Sequence, residues 1–153
     1  MSLERVREFL NRFDASLEPV VFAEKMNTSQ EAADAMGCEV GQIAKSILFR
    51  SGEAFGLFVA AGDVRVDLKV VKTLLGRDPK MAAPEVVLQM TGFPVGAVCP
   101  FALATDMPIF IDQSLDRFDV VYTAAGIAES LLPIRFDQLV KLENSRVVDL
   151  AKR

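Results

Sequence analysis

Two apolar, β-prone runs separated by a turn constrain this chain most. They are Ile-Ala-Lys-Ser-Ile-Leu-Phe at 43–49 and Phe-Gly-Leu-Phe-Val-Ala-Ala at 55–61, with Arg50, Ser51, Gly52 and Glu53 between them. Runs of this length and composition, bounded by a Ser-Gly turn signal, form a β-hairpin. Side chains alternate along a strand, so Ile43, Lys45, Ile47 and Phe49 share one face and Ala44, Ser46 and Leu48 the other. Lys45 is then a lone cation among bulky hydrophobes. Two readings are open. Its stem covers apolar surface while the ammonium reaches water, or it is the cation at a pocket floor that meets an anionic or polar ligand.

Helical signals interrupt the strands. Leu3, Val6, Phe9, Leu10 and Phe13 recur at helical spacing with charges opposite, predicting a docked amphipathic helix over 2–13. Val20, Val21 and Phe22 form a short β-rich run. Thr28 followed by Glu31 has capping-box spacing and opens a helix over 29–36 that ends at Gly37. A helix stopping at Gly76 follows Gly62-Asp63, and a second one spans 84–90 with Pro84 near its start. Residues 109–112, 120–124, 130–134 and 147–150 read as strands and 136–142 as a short helix. This irregular mixture predicts an α+β fold, one domain over 1–153, with a mixed, mainly antiparallel, barrel-like sheet surrounded by helices.

The segment from Thr91 to Phe101 is rich in Gly and Pro yet otherwise apolar, which predicts a buried, shaped loop. Gly96, Ala97, Val98, Cys99 and Pro100 there have two readings. The loop is a tight turn packed on the core, or its backbone N–H groups face a substrate, which Gly makes approachable. Cys99 reads as a small packed residue, since no histidine is present to activate it. Asp112 ends an apolar strand and reads first as a cap on the next turn, second as a residue facing a cleft. Thr28 is an N-cap whose helix terminus would add positive potential beside Lys45.

Composition removes several function classes. The chain has no histidine, so it lacks the commonest neutral-pH base and imidazole metal ligand. Its carboxylates form no metal loop, its cysteines have no CxxC spacing and its glycines match neither the P-loop nor GxGxxG, so no metal or cofactor is expected. A net charge of −4 argues against general DNA or RNA binding, which depends on clustered Lys and Arg. The tightest cationic groups are Arg65 with Lys69 and Lys72, and Arg77 with Lys80, so any nucleic-acid contact should be local. No apolar stretch approaches the roughly 20 residues of a membrane helix, and the first ten residues lack the apolar centre of a secretory signal. A cytoplasmic protein with two reduced thiols, Cys38 and Cys99, is expected.

Several motifs occur together in a fixed order. Thr28-Ser29-Gln30-Glu31 through Gly37 is followed by Gly41-Gln42-Ile43-Ala44-Lys45-Ser46, then Ala61-Gly62-Asp63, then Thr91-Gly92-Phe93 leading into Gly96–Pro100, then Ile111-Asp112, Ala125-Gly126 and Asp137-Gln138-Leu139. In this combination the chain resembles the YbaK and prolyl-tRNA synthetase insertion-domain family of aminoacyl-tRNA deacylases. The resemblance implies hydrolysis, in trans, of the ester of a mischarged tRNA. Lys45 would contact the tRNA 3′ aminoacyl-adenosine end, the Gly96–Pro100 loop would hold the ester, and a ribose hydroxyl would help activate water. It extends the candidate binding set to Thr28, Ser46, Gly96, Ala97, Val98, Cys99, Pro100, Asp112 and Gly126. Relatives often carry Gly at the position of Ala97, Ser or Pro at that of Cys99, and a histidine near 124–126. The small residues Ala97, Ala124 and Ala125 suit a small amino acid. The alternative is a noncatalytic module that binds an aminoacyl-tRNA end or a synthetase.

Overall fold

The structure, a computed structural model, describes residues 2–153. Helix α1 (Ser2–Phe13) buries Val6 and Leu10, four residues apart on one stripe. After β1 (Val20–Val21), Thr28 caps α2 (Ser29–Met36): its Oγ accepts from the Glu31 N–H at 3.0 Å. The Glu31 carboxylate accepts from Asn27 N–H at 2.9 Å, one residue before the expected capping-box partner.

The predicted hairpin is present as β2 (Ile43–Ser51) and β3 (Ala54–Ala61), paired from Ala44 opposite Ala61 to Ser51 opposite Ala54. Helix α3 (Leu68–Leu75) is capped by Asp67, and α4 (Pro84–Thr91) starts on its proline. Between them lies β4 (Lys80–Met81), too short and exposed to carry a periodic signal. The remaining elements are β5 (Ile109–Asp112), β6 (Val121–Thr123), β7 (Ser130–Ile134), α5 (Phe136–Leu139) and β8 (Ser145–Val148). Strand β8 starts and ends two residues earlier than expected because it runs parallel to β5, Ile109 opposite Ser145 and Asp112 opposite Val148, and stops where β5 stops. The fold is α+β, with the sheet order β1-β7-β6-β2-β3-β5-β8 and β4 attached to β2.

This sheet corrects the barrel-like expectation. Its terminal strands β1 and β8 sit at opposite ends of the order, so the sheet stays open. The sheet is mixed and mainly antiparallel as expected, with β1–β7, β2–β3, β2–β4 and β6–β7 antiparallel and β2–β6, β3–β5 and β5–β8 parallel. Alternation along a strand reports which face is buried and carries no information on the direction of its neighbour.

The faces of the hairpin separate two cores. Leu57 and Val59 join Val6, Leu10, Phe93 and Phe101 under α1, while Phe58 and Ala60 join Phe49, Val71, Phe110 and Leu150 under α3. Phe58 packs on Phe110 with ring centroids 4.8 Å apart and meets Phe49 edge-on at 5.2 Å. Each fully buried aromatic of this kind contributes about 1.5–3 kcal/mol by area removed from water. The edge of β2 away from β3 is shared: β6 pairs with Ile43 and Ala44, β4 pairs with Phe49 and Arg50. Among the described residues, no strand covers residues 45–47 on that edge.

Candidate active site

A cavity of about 150 Å³ opens at this uncovered stretch. Lys45 and Ser46 form one wall, Thr28 and Ser29 at the start of α2 another, and Gly96 and Val98 of the Gly/Pro loop a third. The α2 N-terminus brings the positive end of its dipole to the same cavity as Lys45, so two sources of positive potential converge.

Lys45 lies on the Ile47 and Phe49 side of β2 and is half-buried, with Ala60 as its ladder partner. Nearby, Asp63 follows β3 and takes two hydrogen bonds from Arg117, at 2.8 and 3.0 Å. Those bonds, more than the neighbouring charge of Lys45, hold the Asp63 carboxyl below the usual carboxylate range. Gly62 is required for this turn: a Cβ there would stand 2.4 Å from the Val40 carbonyl and 3.0 Å from Ser29 Cβ. The turn thus seats the start of α2 against the start of β2.

Ser46, on the opposite face of β2, has a buried Oγ with no hydrogen-bond partner. A buried hydroxyl without a partner forgoes roughly 1–3 kcal/mol. The loop offers matching donors. Among the described residues, the backbone N–H groups of Gly96 and Val98 meet no protein acceptor. The loop is fixed from behind: Arg5 donates to Thr91 O at 3.2 Å and stands over the Phe93 ring at 4.4 Å, and Gly126 N–H donates to Ala97 O at 3.2 Å.

The structure thus gathers Lys45, Thr28, Ser46, Gly96 and Val98 and does not bring the rest of the candidate set to the cavity. Ala97 and Cys99 are buried away from the cavity, and the Cys99 thiol is pushed up to about 12 by that burial. Pro100 lines a separate cavity of about 510 Å³ between α1 and the end of α5, where Phe9 and Leu103 are exposed to it but Lys45 is absent. Asp112 is fully buried: one carboxylate oxygen accepts from Leu150 N–H at 2.7 Å and the other from Ser114 Oγ, so it staples β5 to the chain after β8. Gly126 sits behind the loop, where a Cβ would stand 2.9 Å from the Ser2 carbonyl oxygen and 3.1 Å from the Phe93 ring. Sequence reasoning passed over Ser29 and Ser130. Ser130 lines the cavity, though its Oγ is engaged by Ala125 N–H and the Ile127 carbonyl.

A small cavity with mixed polar and apolar walls thus lies at a break in the sheet edge of an open α+β scaffold. The family model of the aminoacyl-tRNA editing domain matches residues 23–142, and the chain belongs to that family. It is similar to the uncharacterised protein YwhH of Bacillus subtilis, with 35% identity over 99% of this chain and 98% of that one. It also superposes on the crystal structure of a candidate trans-editing enzyme for prolyl-tRNA synthetase, with a TM-score of 0.93 and 33% identity over 99% of this chain and 98% of the other. A proline–tRNA ligase of Bacillus subtilis is 33% identical over 56% of this chain, which corresponds to 15% of that enzyme. Helix α1 lies outside the residues matched by the family model, yet it carries Arg5 and the floor of the loop. Among the described residues, no helix is long and apolar enough to cross a membrane.

Proposed function

We propose that this chain, 1–153 as one cytoplasmic editing domain, hydrolyses the ester linking a small amino acid to the 3′ adenosine of a mischarged tRNA. The observation that carries the reading is that Lys45, Ser46, Gly96 and Val98 line one cavity of about 150 Å³, where the Ser46 hydroxyl and the Gly96 and Val98 N–H groups have no protein partner among the described residues. That volume lies below the roughly 300–1,000 Å³ of ordinary small-molecule pockets. It suits an aminoacyl group of few atoms, with the adenosine left outside the cavity.

In this scheme water adds to the ester carbonyl carbon, and the charge that develops on the carbonyl oxygen is met by donors fixed in advance, as in an oxyanion hole. The carbon–oxygen bond to the ribose then breaks, the ribose oxygen takes a proton, and free amino acid leaves. Lys45 binds and positions the polar tRNA end. Proton transfer from water falls to the terminal ribose hydroxyl of the substrate, since the chain has no histidine to supply a base.

A deacylation screen of alanyl-, seryl- and 2-aminobutyryl-tRNA, with wild type beside Lys45→Ala, tests the reading. Turnover of at least one small mischarged species by the wild type, lost in Lys45→Ala and insensitive to a chelator, is the expected result. Binding without turnover across the panel would instead support the noncatalytic alternative.

A further inference from the structure

We infer that a cationic basin at the far end of β2 seats backbone phosphates of the tRNA, apart from the aminoacyl cavity; this rests on the editing reading above. Arg50 at the end of β2, Lys80 in β4 and Arg77 in the loop before it line an open basin of about 800 Å³. Arg50 and Lys80 are direct cross-strand partners. Like charges facing each other across an antiparallel pair destabilise it, yet here they persist in a chain whose acidic residues outnumber its basic ones.

No carboxylate compensates them. Among the described residues, none of the three cations forms an ion pair within 4.0 Å. The only acid lining the basin is Asp78, held in a left-handed conformation at φ 51°. One of the cations is pre-positioned. Arg50 donates from Nε and Nη2 to the Gly52 carbonyl at 3.1 and 2.9 Å, and its guanidinium stands over the Phe55 ring at 4.9 Å. Ser51 Oγ donates to the Arg77 carbonyl, tying the loop backbone to the hairpin turn. Two guanidinium groups and one ammonium around a concavity match a phosphate oxyanion.

Position selects the source of that phosphate. The basin and the aminoacyl cavity lie along the same edge of β2, where Ser46 of the cavity and Arg50 of the basin share a face of the strand and stand about 13 Å apart along it. A polynucleotide whose 3′ end enters the cavity therefore has its preceding phosphates within reach of the basin. Arg77 and Lys80 are close in sequence, but Arg50 joins them only through the pairing of β4 with β2.

The test measures binding of uncharged tRNA transcript and of the trinucleotide CCA by anisotropy across about 50–300 mM salt. Because no hydrolysis is involved, failure of the editing reading and failure of this one are separable. In Arg77→Gln/Lys80→Gln, which keeps the Arg50–Phe55 contact, the Kd for tRNA should rise roughly tenfold and the salt slope should fall by about 0.7–0.9 for each cation removed. Adding Arg50→Gln should bring the loss to roughly thirtyfold. Affinity for CCA and the melting temperature should stay at wild-type values. Wild-type tRNA affinity and slope in the double variant overturn the proposal. An equal loss on CCA also overturns it, as does loss of binding to anionic phosphatidylserine vesicles with tRNA affinity intact, which would assign the basin to a lipid surface.

Discussion

The two ends of β2 are built alike on the side of β3 and differently on the other. At residues 45–47 the second edge is bare, and the chain surrounds the gap with a helix N-terminus and a loop to make a cavity of about 150 Å³. At Phe49 and Arg50 the same edge is filled by β4, and the side chains there face an open basin. One strand thus supplies Lys45 to an enclosed site and Arg50 to an open one. What separates them is the face of the strand each side chain takes and the neighbour each stretch acquires. Enclosure raises the value of each polar group, because fewer waters compete for it.

If enclosure matters, removing Lys45 has the largest effect. Lys45→Ala should lower kcat/KM for mischarged tRNA by about 10²–10³, the range for losing one fixed electrostatic group in a closed site, with an unchanged melting temperature. A wild-type rate in that variant would falsify the assignment of the gap as the site. At the open end the loss is smaller and confined to tRNA affinity, as given for Arg77 and Lys80.

Ser46 sharpens the contrast on the gap itself. If its hydroxyl serves the substrate, Ser46→Ala should reduce deacylation by roughly three- to tenfold while raising stability by up to about 1 kcal/mol, because a buried partnerless donor is removed. Higher stability with unaltered kinetics would reduce Ser46 to a packing residue.

The Asp63–Arg117 pair tests the turn that seats α2 against β2. Asp63 has a folded-state pKa below its ordinary value. Its contribution is therefore present above about pH 4 and is lost as pH falls through the lower folded value. Both side chains are more than a third exposed, so screening limits the effect to at most about 1 kcal/mol. Asp63→Asn should narrow the stability gap to wild type as pH drops from 7 to 3; a constant gap would show that the carboxylate charge is not what matters.

The smallest effect concerns the loop. With the Cys99 thiol pushed up to about 12 and fully buried, the native protein should react with a thiol reagent at pH 8 once, at half-buried Cys38, and a second time only after unfolding. Two equivalents in the native state would mean that the loop opens.

Much of this was legible in the sequence. The hairpin, α1, α2 with its Thr28 cap, α3 and α4 follow from periodicity and end signals, because those depend on neighbours a few residues apart. Lys45 stood out by the same logic, as a cation against an apolar pattern. What remained hidden needed long-range pairing: the parallel strands, the two-residue β4, and the way Ala97, Val98 and Cys99 are buried while Gly96 stays exposed. Asp112 shows the limit. A carboxylate at a strand end looks the same whether it faces a cleft or accepts from Leu150, 38 residues on.

The sequence by itself determined the β2–β3 hairpin and the helices α1 to α4, the absence of a histidine base, and the presence of a cation where an apolar residue would otherwise sit. Only the tertiary structure decided that the edge of β2 is left bare at Lys45 and filled at Arg50. Local propensity acts along the chain, whereas a gap in a sheet and a cluster of unpaired charges exist only between segments that meet in space.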